Sequence, residues 1–344
     1  MQLVLNQEQE DLRASVRKFF QEQAPMAKVR TVVDGGPDFD RDLWRRMAGE
    51  LGLTALAIPE EFGGVGASQI ERSIVLEEIG RALVPSPYLS SAVLAADLLL
   101  ATEDTSAKAE FLPSIASGEV LAVSGRGDVT VSSGKLDGQT GPVLDGASAD
   151  IALVQTDDGI YLVDLADVAK TPLVSYDPTR RFARLTFAGT PARRLAGDHT
   201  AAVAHAGDLA AVALAAESVG ILARAMEMAV EYAKVRVQFG RFIGSYQAVK
   251  HSCVNSYVDY ELAYSVVRHA AWAASHALEE LPVAAAHARA LVLPAAFRVA
   301  ARTIEVHGGI GYTWEHDAHL YYKRAKTNEL LLGESGQLAD RLSL

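Results

Sequence analysis

Apolar residues recur at helical spacing through the first third of the chain. Between residues 7 and 20 they return every three or four positions with charged residues between them, which predicts an amphipathic helix. A second helical pattern runs from about Asp40 through Leu51, and others follow in IERSIVLEEIGRAL and SSAVLAADLLL. The intervening IPEEFGGVGAS combines proline, paired glycines and serine, which predicts a loop. We therefore expect residues 1–118 to form a mostly helical domain.

The pattern changes between about residues 119 and 200. Short β-prone runs occur there, separated by Gly, Asp and Pro; they read LAVSG, VTVSS, IALVQ, IYLVDL and ARLTFA. Short strands at this spacing predict a small antiparallel sandwich or barrel.

Residues 201–344 are rich in alanine and leucine and predict long helices, interrupted at FGRFIGS, at Pro282 and at HGGIG. Four such helices would form a bundle. The predicted fold class is therefore α+β, mostly α, with an N-terminal helical domain (1–118), a middle β domain (119–200) and a C-terminal four-helix bundle (201–344).

Composition narrows the class of protein. The 32 basic and 43 acidic residues among 344 give a net charge of −11, which would repel nucleic acid. The single cysteine, Cys253, excludes an internal disulfide and a cysteine-based zinc site, and fits a reducing cytoplasm. The N-terminus lacks a basic and then apolar secretory pattern, and the chain contains no run of about 18 uncharged apolar residues. We expect a cytoplasmic protein with no membrane span.

The first candidate site is AKVRVQFGRFIGSYQAVKH, residues 233–251. A helix that ends near Arg236, a glycine-containing turn and a new helix that begins near Ser245 would place a guanidinium beside free backbone N–H groups. Such a corner suits a pyrophosphate. On spacing alone, a structural corner with a surface arginine is somewhat favoured over a binding site.

The second candidate is IEVHGGIGYTWEHDAHLYYKRAK, residues 304–326. Paired glycines allow a ligand to approach the backbone closely, and Tyr312 and Trp314 could form the wall of a ring-binding site. The segment is not a GxGxxG fingerprint, because the third glycine and a preceding strand are both missing. Taken by itself the pattern favours a structural role.

Other chemistries have little support. His316, Asp317 and His319 have helical spacing, but there is no HExxH pattern and the neighbours are aromatic or basic, so we expect no metal. A GxSxG nucleophile elbow is also missing from the sequence, which argues against a serine hydrolase.

Taken together, the segments described above indicate a protein family more specifically than any one of them does alone. The helical N-terminal region with its IPEEFGG loop, the β middle region, and RVQFGRFIGSYQAVKH followed by VHGGIGYTWEHDAHLYYKRAK together resemble the acyl-CoA dehydrogenase family over nearly the whole chain. In that family FAD takes a hydride from Cβ of an acyl-CoA thioester while a carboxylate removes the Cα proton. The electrons leave through an electron-transferring flavoprotein. The FAD site is split between subunits.

The resemblance implies that the half of the FAD site given to a neighbouring subunit is intact. Arg236 matches the arginine on the neighbour's pyrophosphate, Phe239 the aromatic of the FG turn, and Gln247 the glutamine near the adenosine. Glu305 stands where the family usually has a glutamine. The remaining FAD candidates are Gln238, His307, Gly308, Gly309 and Gly311.

The half that would bind this chain's own flavin is eroded. AVSGRGDVTVSS keeps at most a Gly and an Asp of the family's TEPxxGSD-like loop, and TGPVLDGASAD replaces the WxTNG-like segment. Leu332 occupies the place of the glutamate base. The alternative base position, in a DLER-like stretch, is alanine here (Asp208-Leu209-Ala210-Ala211). Two other carboxylates, Glu217 and Glu334, are candidate bases, although a structural role suits each of them better.

The leading hypothesis is the β-type subunit of a heteromeric acyl-CoA dehydrogenase, which completes the FAD site of a paralogous catalytic subunit. By analogy, the substrate would be a bulky CoA thioester such as a steroid side chain. One alternative is a self-sufficient homo-oligomeric enzyme with Glu217 or Glu334 as base. The other is a non-enzymatic scaffold on the same fold.

Overall fold

The computed structural model describes residues 3–331, which are mostly helical. The apolar spacing of the first third forms helices as predicted, and a π-helix over Tyr88–Ala95 leads into the fifth helix. The helices of the described residues are α1 (Gln7–Gln23), α2 (Met26–Val33), α3 (Arg41–Gly49), α4 (Gln69–Ala82), α5 (Ala96–Ala101), α6 (Thr105–Ala116), α7 (His199–Val235), α8 (Gln247–His276), α9 (Leu281–His307) and α10 (Ala318–Leu331). The last four are the predicted C-terminal helices.

The strands form one large sheet and one small hairpin. They are β1 (Ala122–Ser132), β2 (Lys135–Thr140), β3 (Val143–Leu144), β4 (Ile151–Thr156), β5 (Gly159–Asp164), β6 (Ala169–Leu173), β7 (Phe182–Pro191), β8 (Arg193–Arg194), β9 (Val237–Gln238) and β10 (Arg241–Phe242). The large sheet has the order β3-β7-β2-β1-β4-β5-β8, and β6 pairs with β7. It is mixed, because β1 and β4 run parallel while the other pairs are antiparallel. The expectation of a purely antiparallel sheet is therefore corrected.

The two runs LAVSG and VTVSS form one continuous strand, β1, instead of two. Its first half (122–126) pairs with β4 and its second half (127–132) pairs with β2. The glycine that suggested a turn, Gly127, allows close strand packing, because a Cβ there would lie 2.5 Å from the Cα of Thr140. The pairing of one strand with two different partners, β4 and β2, decides this geometry, so the local pattern could not reveal it.

The chain forms two compact units. We call one the helical unit (1–30, 69–84 and 211–344, described to residue 331) and the other the mixed unit (31–68 and 85–210). The chain passes from one unit to the other within α7. The division into three sequence domains stays a prediction.

The mixed unit has two apolar clusters that share β4. Leu153 packs with α5 and α6 in one cluster, while Ala152 and Val154 pack with β2 and β7 in the other. Successive side chains of a strand point to opposite faces. A strand that is buried on both faces is apolar at every position, which explains the uninterrupted run IALV.

Within the helical unit, α4 and α7 cross at two glycines. A Cβ on Gly80 would lie 2.0 Å from the carbonyl oxygen of Glu217, and a Cβ on Gly220 would lie 1.8 Å from that of Glu77. The two backbones are thus in direct contact, which only glycine permits.

Two long helical stretches of the described chain pass a length and hydropathy test for a membrane span, His199–Val235 and Leu281–Tyr312. The most apolar 18-residue window of the first is 89% buried inside the protein, and that of the second is 56% buried. Burial of this extent is typical of core helices, whose apolar surface is covered by protein.

Candidate functional site

A tight hairpin follows α7 in the first candidate segment. Strands β9 and β10 pair Gln238 with Arg241, and the two turn residues Phe239 and Gly240 have φ of 52° and 78°. Positive φ at both central positions defines the type I′ turn, for which Asn-Gly is the usual sequence. A phenylalanine in this conformation is strained, and its side chain is 93% exposed. The tip of the hairpin therefore presents an aromatic ring to the solvent at a conformational cost.

Arg236 lies at the base of this hairpin. Its backbone N–H donates to Tyr232 O (2.9 Å), and its carbonyl accepts from Ile243 N (2.8 Å). The side chain is exposed, and the part of the chain that the structure describes offers it no carboxylate within 4 Å. The backbone is held in place while the guanidinium is available to an external anion.

The N-terminus of α8 follows directly. Gln247 is its first residue and is exposed. Tyr246 occupies the N-cap position and makes no side-chain capping bond; its ring stacks instead under Arg241, 3.8 Å from the guanidinium carbon. A helix start without a side-chain cap leaves backbone N–H groups and the positive end of the helix dipole for an anion.

The second candidate segment begins where α9 ends. Gly308 adopts φ 64° and ψ −142°, and a Cβ on Gly308 or Gly309 would meet no heavy atom within 4 Å. These two glycines leave an open backbone surface. Gly311 differs, since its Cβ would lie 3.0 Å from both His307 Cβ and Ile304 O, so it serves internal packing. Glu305 is exposed in the last turn of α9.

A ring stack joins the two segments. The imidazole of His307 lies on the ring of Tyr232, with centroids 4.4 Å apart, and the ring of His316 packs against it at 4.3 Å. The Nδ1 of His307 donates to Thr303 O at 2.7 Å. Burial lowers the pKa of His307 and of His316. Because Tyr232 is one helical turn before Arg236, the stack holds the HGG segment at the same end of the helical unit as the arginine.

Sequence reasoning missed this stack. Its only signal is the four-residue spacing from Tyr232 to Arg236, which places both on one face of α7. Nothing local to the sequence pairs Tyr232 with a histidine 75 positions later.

The remaining aromatic and histidine candidates lie nearby on the chain. Tyr312 and Trp314 are exposed, and the ammonium of Lys323 sits 4.1 Å from the Trp314 ring centroid. Asp317 accepts from the Arg30 guanidinium at 2.6 Å. Within residues 3–331, no group of three His, Cys, Asp or Glu side chains is arranged to hold a metal ion.

The candidate base Glu217 lies in the middle of α7 and is 1% exposed. Its carboxylate accepts from Arg324 of α10 at 2.6 Å, and Arg324 is 2% exposed. The carboxylate is therefore paired with a guanidinium inside the protein and is shielded from the solvent. The positions of Leu332 and Glu334 lie outside the described residues. Asp208, Ala210 and Ala211, in the DLER-like stretch, are all buried in α7.

The segment that corresponds to the family's flavin loop is regular β structure. A Cβ on Gly125 would lie 2.8 Å from Val143 Cγ2, and Gly127 is equally crowded by β2. Both glycines of AVSGRGDVTVSS are thus used for packing within the sheet. No flexible glycine loop lies between residues 122 and 132.

The helical unit fits one half of a dinucleotide site. An exposed guanidinium, a helix N-terminus without a side-chain cap, an exposed aromatic and two glycines with open Cβ positions occur at one end of the unit. Arg236 and the α8 N–H groups suit a pyrophosphate, and the Gly308–Gly309 backbone suits close approach of a nucleotide. This class of site agrees with the cofactor that the sequence resemblance implies.

Comparison with known proteins identifies the family. Residues 6–119 match the acyl-CoA dehydrogenase N-terminal domain and residues 201–342 match the acyl-CoA dehydrogenase C-terminal domain. Acyl-CoA dehydrogenase IpdE2 of Mycobacterium tuberculosis is 37% identical over 336 residues, which are 98% of this chain and 96% of that protein. The chain belongs to the acyl-CoA dehydrogenase family, whose members are flavin-dependent oxidoreductases acting on CH–CH bonds.

Solved structures agree with this assignment. A chain of the ChsE4-ChsE5 complex from Mycobacterium tuberculosis is 29% identical with a TM-score of 0.90, covering 99% of this chain and 98% of that one. A chain of the Tcur3481-Tcur3483 steroid ACAD G363A variant is 27% identical with a TM-score of 0.86, covering 97% and 96%. More distant structures with the same fold, 18% and 17% identical, were solved with FAD.

Proposed function

We propose that this chain is the β-type subunit of a heteromeric acyl-CoA dehydrogenase. Its helical unit supplies one half of an FAD site whose other half belongs to a paralogous catalytic subunit. When bound, FAD provides the hydride acceptor for α,β-dehydrogenation of an acyl-CoA thioester. Arg236 and the start of α8 would hold the pyrophosphate, Gln247 would bind the adenosine portion, and the HGG segment would bind the adjoining part of the dinucleotide.

The observation that carries the proposal is an asymmetry between the two units. The helical unit keeps an open, exposed set of groups around Arg236, Phe239 and Gly308–Gly309. In the mixed unit, Gly125 and Gly127 are the glycines that would approach a flavin, and neighbouring strands occupy the space beside them. A chain that lends one half-site and lacks the other needs a partner that has both the complementary half and the base.

The buried carboxylates support the same division of labour. Glu217 is held by Arg324 and has no exposed surface from which to take a proton from a substrate. The catalytic base would then come from the paralogous subunit. Glu217 acts in this proposal as an internal counter-ion that joins α7 to α10.

The relatives suggest the substrate and the setting. One similar structure is described as a steroid ACAD and another as a two-component complex, so we propose a bulky, steroid-derived acyl-CoA as the substrate, bound mainly by the partner subunit. Electrons would pass to an electron-transferring flavoprotein. The complex would act in the cytoplasm.

The test is co-expression. The chain is purified alone and together with a full-length acyl-CoA dehydrogenase paralogue from its own genome, and the flavin spectrum and the dehydrogenation of acyl-CoA thioesters are measured. We expect flavin and turnover only in the co-purified complex, because the two halves of the FAD site would come from different subunits. Flavin that binds only the assembled complex should also stabilise it. Tight FAD and turnover by the chain alone would contradict the proposal, and flavin in neither preparation would favour a scaffold.

Matched variants of the complex locate the half-site. Arg236→Gln removes a cation that is available to the pyrophosphate, whereas Arg45→Gln removes an exposed cation of α3 that pairs locally with Asp42. We expect Arg236→Gln to lower the flavin content of the complex and Arg45→Gln to leave it unchanged. Equal flavin content in the two variants would show that Arg236 does not bind the flavin cofactor.

A further inference from the structure

The hairpin of β9 and β10 has little packing of its own. Its strands have two residues each, and every residue from 234 to 242 is exposed. Two-stranded hairpins are marginally stable in water, and the positive φ of Phe239 at the tip lowers the stability of this one further. A half-site that includes the hairpin therefore needs contacts from outside it to keep Arg236 and Phe239 in place.

Tyr246 contacts both strands of the hairpin. Its hydroxyl donates to Gln238 O of β9 at 3.2 Å. Its ring stacks on the guanidinium of Arg241 of β10, whose carbon lies 3.8 Å from the ring centroid. Among residues 3–331, the other side chain outside the two strands that hydrogen-bonds to the hairpin is Ser245, which reaches only Phe242 O. Tyr246 is therefore the side chain that ties β9 and β10 together from outside.

A tyrosine at this position does not stabilise the helix that follows. Tyr246 is the N-cap residue of α8, with φ −77° and ψ 133°, and its side chain makes no capping bond. Ser, Thr, Asp and Asn are the usual N-caps, because their short side chains accept from the N–H groups of the first turn. Helix α8 lacks such a bond, and the side chain of its N-cap residue contacts the hairpin instead.

We propose that Tyr246 is a positioning residue of the flavin half-site. It holds the hairpin against the start of α8, so that Arg236 and Phe239 are ordered before FAD binds. Ordering a loop in advance raises the affinity for a ligand, because the conformational entropy is not lost on binding. This inference rests on the proposed function, since it concerns the same half-site.

Tyr246→Ser separates the two roles of the position, because the backbone conformation of Tyr246 suits a serine cap. In the chain alone, hydrogen exchange measured by mass spectrometry should become faster in residues 237–243 and slower in residues 247–249. The melting temperature should stay equal or rise. A tyrosine that only supports the fold would give a lower melting temperature and faster exchange in both segments, and that result would overturn the proposal.

The complex with the paralogous subunit gives the functional readout. Loss of one cation–π contact and one hydrogen bond should raise the FAD dissociation constant of the Tyr246→Ser complex about tenfold, measured from the quenching of flavin fluorescence. Turnover at saturating FAD should change much less, because the half-site would hold the pyrophosphate and not the reacting atoms. Tyr246→Phe keeps the ring and should recover most of the affinity. An unchanged dissociation constant in Tyr246→Ser would overturn the proposal.

Two further variants serve as controls. Arg241→Gln/Tyr246→Ser should weaken FAD binding no more than Tyr246→Ser alone, since the two residues act as a pair, and additive losses would overturn that explanation. Tyr176→Ser changes an exposed tyrosine of the mixed unit and should leave hairpin exchange and FAD affinity unchanged.

The same measurements distinguish this inference from the proposed function. A complex of the unmodified chain without flavin would overturn both of them. Flavin in that complex together with an unchanged FAD dissociation constant in Tyr246→Ser would overturn only the role of Tyr246.

Discussion

Glu217 and Arg324 form an ion pair in which both side chains are almost fully buried, with 2.6 Å between Oε1 and Nη1. The pair joins the middle of α7 to α10 across 107 positions of sequence. A buried pair is costly to break, because removal of one partner leaves the other charge in an apolar environment.

Arg324→Met is accordingly expected to lower the free energy of unfolding by about 3–5 kcal/mol. Glu217→Leu/Arg324→Met should recover much of this loss, since both charges are removed together. Urea unfolding followed by circular dichroism measures the difference. Arg298→Met, which removes an exposed partner of Asp259, should cost less than about 1 kcal/mol. A double variant as unstable as Arg324→Met would contradict this explanation.

Glu217 also provides the test of catalysis. In whichever complex is active, Glu217→Gln should leave turnover nearly unchanged after correction for the fraction of folded protein. Loss of a general base lowers turnover by about 100-fold or more. A loss of that size, with the circular dichroism spectrum intact, would support the alternative of a self-sufficient enzyme with a relocated base.

The crossing of α4 and α7 predicts an unusual sensitivity to a single methyl group. Gly80→Ala and Gly220→Ala each place a Cβ at about 2 Å from a backbone carbonyl oxygen of the other helix, so the helices must separate at a cost of about 1–3 kcal/mol or more. Gly207→Ala lies in the same helix α7 with nothing within 4 Å of its Cβ. That control should be stabilised by about 0.5–1 kcal/mol. Thermal unfolding of the three variants compares them directly.

The strained hairpin predicts opposite effects on stability and on flavin binding. Phe239→Asn replaces a bulky residue at φ 52° with one that favours this conformation in type I′ turns, so stability should stay equal or rise by up to about 1 kcal/mol. Flavin content of the assembled complex should fall, because the exposed ring is lost. Phe242→Asn, in the paired strand β10, should give no gain in stability. A less stable Phe239→Asn would contradict the strain argument.

The histidine stack predicts a loss of stability in mild acid. Burial lowers the pKa of His307, His316 and His319. A lowered pKa in the folded state means that the unfolded chain binds protons first, so the stability is fully present above the unfolded value of about 6.5 and is lost as pH falls through the lowered folded values. Urea midpoints between pH 7.5 and 5 measure this slope. His316→Asn should flatten it, while the exposed His251→Asn should not.

The helices and the family could be predicted from the sequence, since apolar spacing and two glycine motifs are local signals. The relations that decide how the site works are not local. The parallel pairing of β1 with β4, the stack of His307 on Tyr232 and the pair of Glu217 with Arg324 each join segments far apart in sequence. A buried glutamate at helical spacing looks the same in sequence whether it faces a substrate or an arginine, so the function of Glu217 could only be judged from its partner.

The division of the helical unit into three chain segments has a consequence for synthesis on the ribosome. Residues 3–30 and 69–84 emerge early, but the helices that cover them begin at residue 211, and the Glu77 carboxylate meets Arg268 only 191 residues later. Contacts this distant slow folding. The surfaces of α1 and α4 that the later helices cover therefore stay exposed until most of the chain has been made.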